Sequence, residues 1–189
     1  MATTLTIPPT IPIVQLTGAV TEANPDDHST AFLHNHARRS RAPAFLYDTP
    51  LVARTPATAR AVRQRPDVAR AFKAFPGITK AAVGIGLWQD GFSTLHDALA
   101  ARDRDEMRRR GTIADLSGTL LTADGQPITG GITNRMIRII ADRLQAIPDV
   151  IGLAYQTEKA PAVRAAIRSK LVNNLVLDAR LAEALLGVA

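Results

Sequence analysis

The chain has 189 residues, 46% of them hydrophobic, and a formal charge of +6 from 23 Lys and Arg against 17 Asp and Glu, which suits one domain with a real core. The absence of cysteine excludes disulfides, thiolate metal sites and cysteine nucleophiles. No apolar run approaches the roughly 20 residues that cross a bilayer, and MATTLTIPPTIPIVQL lacks the basic and apolar regions of a leader, so the expected location is the cytoplasm.

Residues 1 to 11 read as a flexible tail, with Pro8, Pro9 and Pro12 interrupting regular structure; 12–189 is the folded domain. Ile13 to Leu16 is a short apolar strand ending at Thr17-Gly18. Asp26-Asp27-His28-Ser29 offers caps for a helix over about 29 to 39. Pro43 to Tyr47 reads as a strand, and Ala57 to Gln64 and Pro66 to Phe75 as helical pieces, with Pro66 in a first turn where its missing N–H costs nothing. Thr79 to Ile85 is a buried strand stopping at Gly86. Ser93 caps a helix from Thr94 to about Arg110, closed by Gly111. Ile113 to Leu121 alternates as a strand, with Ser117 inside it, and Asp124-Gly125 is the hairpin turn into Gln126 to Thr129. Met136 to Ile147 is strand turning into helix, its stripe made by residues 137, 140, 144 and 147. A strand at 150 to 155, an amphipathic helix, a strand at 174 to 177 and a final helix from Arg180 to Leu186 complete the chain.

Strands alternating with helices predict an α/β fold with a Rossmann-like, mainly parallel sheet flanked by helices and a local β-hairpin near 113–129. Ligands of such sheets bind beyond the carboxyl ends of the strands. That rule gathers Gly18, Gly86 with Leu87 and Trp88, the loop Gln156 to Lys159, and Asp178 on one rim. Gly84-Ile85-Gly86 lacks the third glycine of a dinucleotide fingerprint, and there is no phosphate-loop sequence; Gly86 serves either a tight strand end or backbone approach to a ligand. Asp115, between apolar residues, needs an ion-pair partner or a ligand hydroxyl to accept from. Lys159, at a helix start where cations are disfavoured, is either a surface lysine neutralised by Glu158 or, the reading favoured here, a contact for an anion, which that helix N-terminus would also attract. The four histidines, His28, His34, His36 and His96, show no metal-binding spacing and are expected on the surface or at caps. There is no nucleophile elbow around any serine. Residues 36 to 73 hold nine Arg or Lys against Asp48 and Asp67, a local +7. They form either solvated helix faces or a surface for an acidic partner, a second subunit or DNA.

Five stretches carry a resemblance: IVQLTGAV (13 to 20), AAVGIG (81 to 86), GTIADLSGTLLTADGQPI (111 to 128), RLQAIPDVIGLAYQTEKAPAVRAAI (143 to 167) and NNLVLDARLAEALL (173 to 186). In order and spacing they resemble the C-terminal effector-binding domain of SorC-family sugar-responsive transcription regulators. The resemblance implies a fold like that of sugar-phosphate isomerases and deaminases, without their catalysis and without a cofactor. It also implies a phosphorylated sugar as effector, assembly into dimers or tetramers, and DNA contact only through a helix-turn-helix domain not matched here. By it, Lys159 holds a phosphate and Asp115 a sugar hydroxyl, with Gly18, Gly86, Gln156 and Glu158 beside them. The glycine-threonine phosphate loop of such regulators is also unmatched, and Gln156-Thr157 stands where glycine is usual, so the chain is expected to be a C-terminal portion or a shortened product. The alternatives are an isomerase- or deaminase-like enzyme using Asp115 or Glu158, and an effector-free oligomerisation remnant.

Overall fold

In a computed structural model, the described residues are 8–20 and 29–187. The strands are β1 (Ile13–Val14), β2 (Ala44–Phe45), β3 (Lys80–Leu87), β4 (Thr112–Leu116), β5 (Thr119–Thr122), β6 (Asp149–Ala154) and β7 (Asn174–Leu177). The last five form one sheet in the order β5-β4-β3-β6-β7. β3, β6 and β7 run parallel, while β4 and β5 make an antiparallel hairpin that joins the end of β3. β1 and β2 pair in parallel as a separate small sheet. The expected Rossmann-like α/β fold is therefore present, with its hairpin in the expected stretch.

The largest core cluster lies on one face of the sheet. Period-two alternation sends Ala81, Val83, Ile85 and Leu87 of β3 inward with Val150 and Ala154 of β6. They meet α7 (Ala160–Ser169), whose buried Ala162, Ala165 and Ala166 let the helix approach closely. α8 (Ala179–Leu186) follows, capped by Asp178, whose carboxylate accepts from the Leu181 N–H at 3.0 Å.

The second layer is an irregular lattice of three segments. Gly18 N–H donates to the Ile137 carbonyl, Ala19 N–H to Thr49, and Ile137 N–H to Leu51. α2 (Pro56–Arg63) and α3 (Pro66–Ala74) pack on it, each with proline in the first turn as anticipated for Pro66. α1 (Ser29–Ser40) matches the predicted helix; its suggested caps Asp26, Asp27 and His28 lie outside the described residues, as do residues 1–7 of the tail.

Several expectations are corrected. The hairpin turns at Ser117-Gly118, whose φ values of +48° and +86° are those of a tight two-residue loop. Leu116 and Thr119 pair directly across it, so alternation runs through the turn and conceals it, and Ser117 is no strand residue. The expected turn at Asp124-Gly125 is also present, as a second one, returning Pro127 opposite Leu121. The helix at 94 to 110 is two, α4 (Thr94–Ala98) and α5 (Ala101–Arg109), because Leu99 and Ala100 are extended. That corner sinks Leu99 into a cluster with Leu95, Trp88 and Met107 and leaves the charged residues of α5 outside. The segment after Met136 is helical only over α6 (Ala141–Gln145), and Ile140 of the predicted stripe is exposed. His96 and His36 are buried, where surface or cap positions were expected; His34 is exposed.

Gly125 has φ of +79°, and a Cβ there would lie 2.4 Å from the Ser169 nitrogen. Gly91, at φ +76°, has open space. Gly125→Ala should therefore destabilise by about 2–5 kcal/mol and Gly91→Ala by only about 1–2 kcal/mol. Thermal denaturation of the two variants checks the difference, and equal losses would remove the steric account.

Candidate functional site

The carboxyl end of β3 is where polar groups converge. Gly86 lies opposite Asp115 in the β3–β4 pairing, so both look out from the face away from α7. A Cβ on Gly86 would come within 2.8 Å of Ser93 Cβ, so its missing side chain is the space that Ser93 fills. The Ser93 hydroxyl then does two things. It accepts from the His96 N–H at 3.2 Å, capping α4, and donates to Asp115 Oδ2 at 3.1 Å. Asp115 Oδ1 accepts the Gly118 N–H at 2.7 Å, which locks the hairpin turn.

Two cations complete the group. Arg138 reaches in from the second layer, donating from Nη1 to Thr119 Oγ1 at 3.0 Å and to the Ile139 carbonyl at 2.8 Å, while its buried Nε has no partner. Lys159 ends the 3-10 turn Thr157–Lys159 that follows β6. It is 9% exposed, and its ammonium lies 4.8 Å from the centre of the Tyr155 ring with no hydrogen bond among the described residues.

The electrostatics are those of charges drawn out of water. Burial raises the Asp115 pKa, against hydrogen bonds from Gly118 and Ser93 and the charges of Arg138 and Lys159. Burial lowers Lys159, opposed by Asp115. Burial also holds Arg138 down to about 10, with Asp115 opposing and Arg63 assisting. The charges of Lys159 and Arg138 both act on one carboxylate, with Arg63 near Arg138, so the rim has positive charge to spare.

Of the residues anticipated on the rim, Gly86, Asp115 and Lys159 do converge. Gln156 and Glu158 are exposed beside Lys159, and the Gln156 N–H is taken by Asp178 at 2.7 Å. Gly18 sits in the second layer next to the Thr17–Arg138 bridge; a Cβ would be 2.6 Å from the Pro50 carbonyl oxygen, so packing alone explains the glycine. Arg138, Ser93 as a partner of Asp115, and Thr119 were missed. The signal for Arg138 was the one that flagged Asp115: a lone charge in an apolar run, here Met136-Ile137-Arg138-Ile139-Ile140.

Asp90, His96 and Asp97 offer ligand atoms within 4.8 Å of one another. Their contacts already serve the 88–92 loop, because Asp97 accepts the Gly91 N–H and Asp90 lies 3.7 Å from Arg104.

A family model describing a sugar-binding domain (Sugar-bind) matches residues 2–187. The chain belongs to this sugar-binding domain family. Among curated relatives, it is 35% identical over 82 residues to the transcriptional regulator LsrR of Klebsiella pneumoniae, a match covering 43% of this chain and 25% of LsrR. It is 25% identical over 178 residues to the erythritol catabolism regulatory protein EryD of Brucella abortus, covering 92% of this chain and 55% of EryD. The fold matches the full-length sorbitol operon regulator SorC from Klebsiella pneumoniae with a TM-score of 0.84 at 20% identity, covering 93% of this chain and 57% of that one. These shares mean the chain spans about half the length of SorC and EryD, and its match to LsrR a quarter. The resemblance of the five motifs is thus upheld at the level of this sugar-binding domain family and its fold, and the curated relatives it matches are named as regulators.

A raised aspartate pKa fixes the sign of a pH effect. The stabilisation that goes with protonating Asp115 is complete below the ordinary value of 3.8 and is lost as pH rises through the raised folded value. Asp115→Asn does not titrate, so its melting temperature should gain on that of the wild type as pH climbs from about 4 toward neutrality. Calorimetry across that range checks this, and a constant gap would mean the group does not titrate in the window.

Proposed function

We propose that this chain is the effector-sensing domain of a bacterial sugar-responsive transcription regulator and that its effector is a phosphorylated sugar. The observation that carries the reading is Lys159: a largely enclosed lysine whose ammonium has no hydrogen-bonding partner among the described residues, near a second, buried cation and a carboxylate. A phosphate would supply the missing partner to Lys159, with Arg138 adding charge, and Asp115 would accept a sugar hydroxyl with the lone pairs that Gly118 and Ser93 leave free. The family match supports a sugar as ligand. Gln156 and Glu158, exposed next to Lys159, would meet the ligand's outer side, while Gly86 acts only indirectly, by making room for Ser93 against Asp115.

The working scheme is linkage. An effector that binds one subunit arrangement better than another shifts the population toward it, and a helix-turn-helix domain outside the described residues would read out the shift at DNA. The enzyme reading has less behind it, since no imidazole or second carboxylate among the described residues hydrogen-bonds to Asp115 to act as its acid–base partner. The expected setting is the cytoplasm, where such effectors and their operators meet.

The test is thermal denaturation against a panel of sugar phosphates and their unphosphorylated parents. A true effector at about a hundredfold its Kd should add about 2.7 kcal/mol of stability. The shift should appear for one phosphorylated sugar, not for its parent, and should be lost in Lys159→Ala. No shift across the panel from a cooperatively melting protein would reject the reading.

A further inference from the structure

The turn that carries Lys159 begins with a residue in a costly shape. Gln156 follows the end of β6 with φ of +80° and ψ of +129°. A Cβ disfavours that region for anything but glycine, and such residues persist only where their surroundings over-determine them. The Gln156 side chain is exposed and makes no hydrogen bond among the described residues, so the hold is on its backbone. Its N–H donates to Asp178 Oδ2 at 2.7 Å. Its carbonyl accepts the Lys159 N–H at 3.1 Å, closing the 3-10 turn Thr157–Lys159.

Asp178 comes from the neighbouring strand. The β6–β7 register sets Leu177 beside Ala154, so the residues after the two strands emerge side by side. The other carboxylate oxygen, Oδ1, accepts the Leu181 N–H at 3.0 Å and caps α8. The bonds from Leu181 and Gln156 hold the Asp178 pKa below the ordinary 3.8, so the group is ionised at neutral pH. Capping a helix takes a single acceptor atom. The second bond, to a strained residue two strands' ends away from the helix it caps, is the one that calls for a purpose.

We propose that Asp178 is a positioning residue for Lys159. Its Oδ2 holds Gln156 in the left-handed shape, the Gln156 carbonyl fixes where the turn closes, and the closed turn sets the Lys159 ammonium over the Tyr155 ring at the rim. The use of that placement, presenting a cation to an anionic ligand, rests on the effector reading; the placement itself does not.

The test separates the hold on Gln156 from the helix cap. Asp178→Ser keeps a hydroxyl able to accept the Leu181 N–H, but its one short arm cannot also reach Gln156. Asp178→Asn, again with a single acceptor oxygen, is the second variant. Lysine labelled with carbon-13 gives signals from Lys73, Lys80, Lys159 and Lys170, and the ring current of Tyr155, 4.8 Å from the ammonium, displaces that of Lys159. Lys159→Arg assigns this signal, and Tyr155→Leu gives its undisplaced position. In both Asp178 variants the signal should collapse toward that position while melting stays cooperative. Gln156→Gly takes up the left-handed shape without strain, so it should restore the displacement when combined with Asp178→Ser. Alone it should raise the melting temperature by about 2–4 °C. A Lys159 signal unmoved in the Asp178 variants, a collapse that Gln156→Gly leaves uncorrected, or a melting temperature lowered by Gln156→Gly would each overturn the proposal. Any phosphosugar shift of the wild type should shrink in Asp178→Ser, and an undiminished one would also overturn it. No such shift in the wild type would reject the effector reading alone, because the Lys159 signal is read without ligand.

Discussion

The candidate site depends on the burial of one carboxylate. Asp115 cannot be left uncompensated where it sits, and each of its compensations fixes something else. The Gly118 N–H ties it to the hairpin turn, and Ser93 ties it to the start of α4, which is possible only because Gly86 has no side chain in the way. The charges of Arg138 and Lys159, brought from two other parts of the chain, offset part of the cost of burying its ionised form. The same four-way compensation that lets Asp115 be buried also leaves the two cations incompletely satisfied. A carboxylate shared among hairpin, helix and two more distant segments of the chain is thus a structural joint, and it draws two cations to one place.

The sheet was legible because its strands are apolar runs bounded by glycine and polar loops, and because βαβ spacing governs β6, α7 and β7. Lys159 and Asp115 were legible as charges out of place. What escaped reading had physical causes. The turn at Ser117-Gly118 is short enough that Leu116 and Thr119 stay in phase, so period-two alternation passes through it unbroken. The corner at Leu99 is set by a tertiary cluster with no local signal. The second layer is held by backbone hydrogen bonds between segments far apart in sequence, such as Gly18 to Ile137, and propensity says nothing about such partners. That is also why Arg138 was missed as a neighbour of Asp115.

The two halves of the sheet face away from α7 differ in kind. Over β4 and β5 it is closed by large side chains, so Asp115 is dry on that flank. Over β3, β6 and β7 it is exposed among the described residues, so Lys159 and Tyr155 stand at the edge of solvent. The site is therefore a step between a buried and an exposed half of one sheet. That accounts for a lysine whose side chain is largely enclosed while its ammonium has only an aromatic ring beneath it.

The pairing of β3 has a kinetic side. Its antiparallel neighbour β4 begins about 25 residues after β3 ends, and β4 folds back on β5 through a two-residue turn, a closure on the microsecond scale. Its parallel neighbour β6 is 69 residues away, measured from Lys80 to Asp149, which face each other at the strands' start. Closing so long a loop carries its entropy cost before any contact rewards it. Refolding should thus be paced by the docking of β6 on β3, after the hairpin exists. The lysine after β6 would come near the carboxylate of β4 only in that last event, making this cluster of charges among the final parts of the molecule to form.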